Sequence, residues 1–176
     1  MSFKFKRIFV CGIHGVGKST YIEKSKKLGE YSIYVCSDLI KKYSGLQFNE
    51  KKIINAIENQ DILLKAVNYF VYEEFVLFDG HIILFNKNND IDIVDISVLK
   101  DLNIEYIIFL KANHQVIYER LIKRDGGTWL TPNLIDQAQK IEMEKVIEYS
   151  QTMGISYEVI EWDDLADEWK VSLINL

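Results

Sequence analysis

Residues 12 to 20 read Gly-Ile-His-Gly-Val-Gly-Lys-Ser-Thr, which fits G-x-x-x-x-G-K-[ST] in full. No other stretch of the chain limits its fold as tightly. With glycine near 7% of residues in ordinary proteins, a chance match somewhere in a chain of this length has odds on the order of 1%. An apolar run rich in β-formers, Arg7–Cys11, precedes the motif and a helical pattern follows it, as the motif demands. Gly12, Gly15 and Gly17 open backbone conformations closed to other residues, so that successive N–H groups, that of Val16 included, face an anion. A helix starting near Lys18 adds its positive end. Lys18 is then placed for the β- and γ-phosphates of a nucleotide, and Ser19, followed by Thr20, offers a hydroxyl to Mg²⁺. The competing reading is a glycine-rich turn that happens to precede Lys-Ser.

Beyond the motif, short apolar runs alternate with helical ones. Ser32–Cys36, Phe75–Phe78, Ile104–Leu110 and Ile155–Ile160 are almost free of charge, as strands covered on both faces should be. Helices are expected over Lys18–Leu28, from an N-cap at Asn49 to about Glu73 with Asp61 a restart point, and over Asn113–Arg124. A further helix runs over Pro132–Met153, with Thr131 before it and Gly154 after it, and a last short one over Asp163–Lys170. Asn86–Asp95 reads as an irregular polar loop. Such alternation predicts an α/β protein: one parallel sheet, helices on both faces and right-handed crossovers. Ligands of such sheets bind beyond the carboxyl ends of the strands, at Gly12 onward, Ser37–Asp38, Asp79–His81 and Lys111–His114.

The chain of 176 residues carries a formal charge of −5, with 48% hydrophobic residues and a single proline, which suits one domain spanning 1–176 and excludes low-complexity and disordered classes. Charge is split: +7 over residues 1–52 and −12 over the rest. The positive end suits an anion or merely marks one face, and the acidic total argues against general nucleic-acid binding. No apolar run reaches a membrane span, and Ile8–Ile13 is too short for a secretory core, so a cytoplasmic protein without membrane partners is expected. Cys11 and Cys36 end apolar runs and suit an intracellular core better than a disulfide. His14, His81 and His114 show no metal-ligand spacing, so no zinc site is expected.

Phe75-Val-Leu-Phe-Asp79 is an apolar run ending in a carboxylate. Behind a phosphate-binding loop, an aspartate there holds the Mg²⁺ shell; a solvated strand-end aspartate would look the same. With these stretches the sequence resembles the nucleoside-monophosphate-kinase group of P-loop phosphotransferases, most closely archaeal-type adenylate kinases and their eukaryotic nuclear relatives. The likeness rests on Gly12–Thr20, on Val35-Cys-Ser-Asp-Leu-Ile-Lys41, on Asp79-Gly-His81 and on Glu119-Arg-Leu-Ile-Lys-Arg124, with a weaker likeness over Ile96–Leu110.

The resemblance implies a P-loop three-layer sandwich with a five-stranded parallel sheet, an acceptor-side helical insertion over 38–73 and a short lid over 120–132. It implies ATP and Mg²⁺ as cofactors. Arg120 and Arg124 would then stack on the adenine and neutralise the transferring phosphoryl group, while Asp38, Lys41 and His81 would line the acceptor side. Two arginines four apart equally suit an exposed helix face. The chain departs from its relatives in having only three arginines, Arg7, Arg120 and Arg124; Lys41 stands where an acceptor-side arginine is expected. A lysine meets phosphate as a point charge without the guanidinium fork. The acceptor is therefore a hydroxyl or a weakly held phosphate, and Asp38 is either a general base or a helix N-cap. Two functions follow: an ATP/Mg²⁺-dependent phosphotransferase acting on a nucleotide, nucleoside or similar small acceptor, or an ATPase whose cycle controls a protein or RNA partner. Trp129 either shields the lid segment or anchors it.

Overall fold

The computed structural model of the chain describes residues 5–25, 28–47, 56–163 and 166–175. In chain order the elements are β1 (Arg7–Cys11), α1 (Lys18–Lys24), β2 (Ser32–Val35), α2 (Cys36–Gln47), α3 (Ala56–Phe70), β3 (Val76–Asp79), β4 (Ile83–Phe85), β5 (Ile91–Ile93), α4 (Ile96–Asp101), β6 (Tyr106–Lys111), α5 (His114–Asp125), α6 (Pro132–Met153), β7 (Ser156–Asp163) and β8 (Glu168–Asn175). The main sheet runs β2-β3-β1-β6-β7-β8, and its first five strands are parallel. This is the α/β P-loop fold, with helices covering a mostly parallel sheet.

The period of two along the central strands separates two cores. Phe9 and Cys11 of β1, Phe78 of β3 and Phe109 of β6 join a core shared with α2, α3 and α4. Ile8 and Val10, Leu77, Ile108 and Leu110 join one shared with α1 and α5. Both cysteines are buried and free. Helix α6 serves both cores: Ile135 and Ala138 pack into the second, Val146 and Tyr149 into the first. Its ends follow local chemistry, with Thr131 accepting from the Leu134 N–H, Pro132 in the first turn and Gly154 left-handed at the close.

Several expectations are corrected. The sheet has a sixth strand, because Asp163–Lys170 does not form a helix. Instead β7 continues to Asp163 and β8 returns antiparallel, with Trp162 opposite Trp169 and Lys170 Nζ 2.6 Å from the Asp163 carboxylate. A free helix of eight residues is not self-sustaining, whereas a tryptophan pair and an ion pair stabilise a hairpin. Asn86–Asp95 is likewise no irregular loop. It holds the turn and second strand of the β4–β5 hairpin, in which the Asn86 side-chain oxygen accepts from the Asn88 and Asp90 N–H groups. Helix α1 stops at Lys24 rather than Leu28, and α3 passes through Asp61 without restarting. The expected cap at Asn49 lies outside the described residues. Among the described residues no helix is long and apolar enough to cross a membrane.

Candidate functional site

The central strand β1 delivers the chain to Gly12 at the carboxyl edge of the sheet. Gly12 has φ 146°, and a Cβ there would meet the Leu110 carbonyl oxygen at 2.5 Å, so the close approach to β6 requires glycine. Gly17 caps α1 in the left-handed region at φ 105°, beneath the Trp169 ring and the Arg120 guanidinium. Between them the loop wraps around the Lys18 side chain, whose Nζ donates to the Gly12 carbonyl at 3.0 Å.

Lys18 is nearly buried and faces three side chains. Asp79, at the end of β3 and paired with Val10 of β1, places Oδ1 3.8 Å from Nζ. That distance exceeds a hydrogen bond, so the attraction does not offset the loss of water. Burial lowers the Lys18 pKa and raises that of Asp79, each opposed by the charge of the other. His81 Nε2 lies 3.2 Å from Nζ and accepts from the ammonium. Burial and the Lys18 charge push the His81 pKa down to about 3, so the imidazole is neutral and orients the lysine.

The third side chain, Glu142, carries no motif in the sequence. It lies on α6 between the stretches that feed the two cores and is fully buried. The Ile82 N–H donates to Oε1 at 2.9 Å, while Oε2 has no hydrogen-bond partner among the described residues. Burial pushes its pKa up to about 7, opposed by the Ile82 N–H and Lys18. A signal existed: Gln139 and Glu142 fall on the apolar face of α6, at helical spacing from Ile135, Ala138 and Val146. Gln139 is accounted for by paired hydrogen bonds to the Ala112 backbone at 2.9 and 3.1 Å; Glu142 is only half accounted for.

Helix α5 brings both arginines over the loop. Arg120 donates to the Val16 carbonyl at 2.7 Å and sits 4.9 Å from the Trp162 ring centroid, so β7 supplies the aromatic face it stacks on. Arg124 forks onto the neighbouring Asp125 carboxylate at 2.6 and 2.7 Å and approaches His14 Nε2 at 2.6 Å. Beyond Gly126, Trp129 packs edge-on against Phe85 of the β4–β5 hairpin, with ring centroids 5.1 Å apart, which anchors the segment between α5 and α6.

A cavity of about 930 Å³ opens from this cluster. Gly15, Gly17, Lys18, Ser19, Thr20, Asp79, His81, Arg120 and Arg124 line it. Asp38 and Lys41 do not. They stand exposed on α2 and pair with one another at 3.5 Å. Cys36 begins α2 directly after β2, so Asp38 sits inside the first turn rather than at the cap, next to the cavity wall formed by Val35, Cys36, Ser37 and Ile40. Its charge still contributes to the raised pKa of Asp79. Asp38 and Lys41 thus stand outside the lining of this cavity, while His81 lines it beside Lys18.

The glycine cradle fits a nucleotide polyphosphate. The Asp79 carboxylate and Ser19 hydroxyl, both on the cavity wall, are the hard oxygen donors that suit Mg²⁺ bound largely through substrate phosphates.

A parallel sheet feeding a glycine loop, with lysine, carboxylate and arginine converging on one cavity, defines a P-loop protein. A family model described as an AAA domain matches residues 11–128, and the chain belongs to that family. No curated protein sequence matches the chain significantly. Among solved structures, a gluconokinase from Sinorhizobium meliloti 1021 aligns with TM-score 0.51 and 16% identity over 91% of this chain and 85% of its own. Shikimate kinase from Bacteroides thetaiotaomicron aligns with TM-score 0.55 and 16% identity over 93% and 90%. The tunicamycin resistance protein of Deinococcus radiodurans aligns with TM-score 0.52 and 15% identity over 85% and 95%. These likenesses concern the fold.

Proposed function

We propose that this chain is an ATP- and Mg²⁺-dependent phosphotransferase that moves the γ-phosphoryl group of ATP to a small acceptor. The observation carrying this reading is the continuity of the cavity: Lys18, Asp79 and Arg120 stand at one end, and the same space extends to the walls of β2, α2 and α3. Its volume is near the upper end of the ~300–1,000 Å³ usual for ligand sites, room for two reactants.

Phosphoryl transfer is catalysed by positioning and charge stabilisation. The loop N–H groups of Gly15 and Gly17 hold the phosphates, while the Val16 N–H donates to the Ile13 carbonyl at 3.1 Å and fixes the turn between them. Lys18, fixed by the Gly12 carbonyl and His81, meets the charge that spreads over the transferring group. Mg²⁺ held by Asp79 and Ser19 would neutralise the β- and γ-oxygens. Arg120 closes the loop from above, and Arg124 reaches the transferring group by exchanging Asp125 for phosphate oxygens. In this reading residues 38–73 are the acceptor-side insertion and 120–132 the lid of a single 1–176 domain.

A nucleotide acceptor is the finer assignment implied by the resemblance to archaeal-type adenylate kinases. The names of two structural neighbours point instead to gluconate and shikimate. The test is ADP release from ATP and Mg²⁺, with and without nucleosides, nucleoside monophosphates, gluconate and shikimate, followed by chromatography. Acceptor-dependent ADP is expected. Acceptor-independent ADP at the same rate overturns this reading in favour of an ATPase acting on a protein or RNA partner.

A further inference from the structure

The cavity is two-sided in its chemistry. Among the described residues, the lysines and arginines that line it are Lys18, Arg120, Lys123 and Arg124, all from α1 or α5 around the phosphate loop. The opposite wall is apolar: Val35 and Ile40 from the β2–α2 unit, Leu63 from α3, Leu84 from β4, and Val94 and Val98 around the start of α4. Val35, at the end of the edge strand β2, is 37% exposed and lines this opening. Two uncharged amides, Asn59 and Gln60, complete that wall from α3. The Gln60 carbonyl faces the Asp95 N–H at 3.4 Å, which leaves its NH₂ as the end that donates. Asp38 and Lys41, exposed on α2, pair with one another at 3.5 Å and do not line the cavity.

We propose, resting on the phosphotransferase reading above, that the acceptor is an uncharged alcohol with an apolar body, seated against Val35, Ile40, Leu63 and Val98 and gripped by Asn59 and Gln60. Among the described residues no lysine or arginine lines that wall, so a phosphate or carboxylate on that body would be buried against it at a cost of several kcal/mol. The apolar body gains ~25 cal/mol per Å² covered. In the reaction the acceptor oxygen bonds to the γ-phosphorus as the bond from that phosphorus to the bridging oxygen breaks. ADP leaves with the electron pair, and the hydroxyl proton passes to a phosphoryl oxygen and then to water. A loose transition state lets that proton leave late, so the cavity needs no dedicated base and the outward position of Asp38 carries no catalytic loss.

Matched pairs test the class: 1-phenylethane-1,2-diol against mandelate, and thymidine against thymidine 5′-monophosphate. The full chain is incubated with ATP and Mg²⁺, following ADP by coupled assay and the new monoester, or the phosphoanhydride formed on a phosphate acceptor, by ³¹P NMR. The neutral member of each pair is expected to lead in kcat/KM by about 10²-fold. Ile40→Lys, at a half-buried position on that wall, should move the preference at least about 10-fold toward the anionic members by supplying the missing cation. Anionic members that match or beat the neutral ones in the wild-type chain overturn the acceptor class and leave phosphotransfer standing. No monoester from any probe overturns the acceptor class too. If ADP then forms at one rate with or without probe, the phosphotransferase reading falls with it; if ADP does not form, only the acceptor assignment falls.

Discussion

The two ends of the cavity are built by different rules. The nucleotide end comes mostly from nine consecutive residues, and its central group, Lys18, is held by the Gly12 carbonyl and His81 and flanked by Asp79 and Glu142. The far end is assembled from β2, α2, α3, β4 and the start of α4, and apolar side chains make most of it. Contiguity fixes the loop backbone of the first end, and the Gly12 carbonyl, six residues from Lys18, and His81 fix its lysine. The second depends on helices packing correctly and is free to vary in shape and chemistry. In the proposed reaction, catalytic charge therefore resides where the backbone is most constrained, and selectivity where it is least so.

Mutations at the two ends should separate accordingly. Lys18→Ala should lower ATP turnover by at least ~10²–10³-fold with the fold retained, since it removes charge from the transition state. Single-turnover assays with circular dichroism check this, and unimpaired turnover in a folded variant would erase the distinction between the ends.

Next in size is Glu142→Gln. The folded pKa of Glu142 is raised from 4.5 to about 7. Its contribution to stability is thus fully present below about pH 4.5 and is lost as pH rises through 7, where an ionised carboxylate must stay buried. At ~1.4 kcal/mol per tenfold shift in proton affinity the loss is roughly 3 kcal/mol. The glutamine keeps an acceptor for the Ile82 N–H without ionising, so urea unfolding of the variant between pH 4.5 and 7.5 should be flatter by that amount. Equal slopes would mean that Glu142 is already ionised in the folded chain.

Asp79→Asn should weaken Mg²⁺-dependent turnover by ~10–100-fold, and metal-free nucleotide binding far less. Titrating Mg²⁺ in both forms measures it, and an unchanged metal requirement would return Asp79 to a strand-end role. Smallest is Asp38→Asn, expected to change turnover by less than ~3-fold because the side chain lies outside the cavity and only its distant charge is felt. A loss of ~10²-fold or more, the size expected of a general base, would place catalytic charge at the far end after all.

What was legible in the sequence had short-range causes. Gly12, Gly15 and Gly17 announce backbone angles, Thr131, Pro132 and Gly154 announce the ends of α6, and charge-free runs announce buried parallel strands. Asp79 was legible because a strand end beside a phosphate loop is a fixed place. The short pieces were harder to read. The β4–β5 hairpin has three-residue strands, too few to show a period, and β8 holds its form through the pairing of Trp169 with Trp162 across the hairpin.

By itself, then, the sequence determined the phosphate loop, the five parallel strands of the main sheet, and two charged groups, Lys18 at the end of the loop and Asp79 at a strand end, because each depends on local stereochemistry or on burial along one segment. Only the tertiary structure decided that His81 is the neutral partner of Lys18, that Glu142 is buried behind the loop, and that Asp38 and Lys41 turn outward to each other. Those outcomes depend on which faces of distant helices meet the carboxyl edge of the sheet, and a half-turn of α2 or α6 that no short motif records would reverse them.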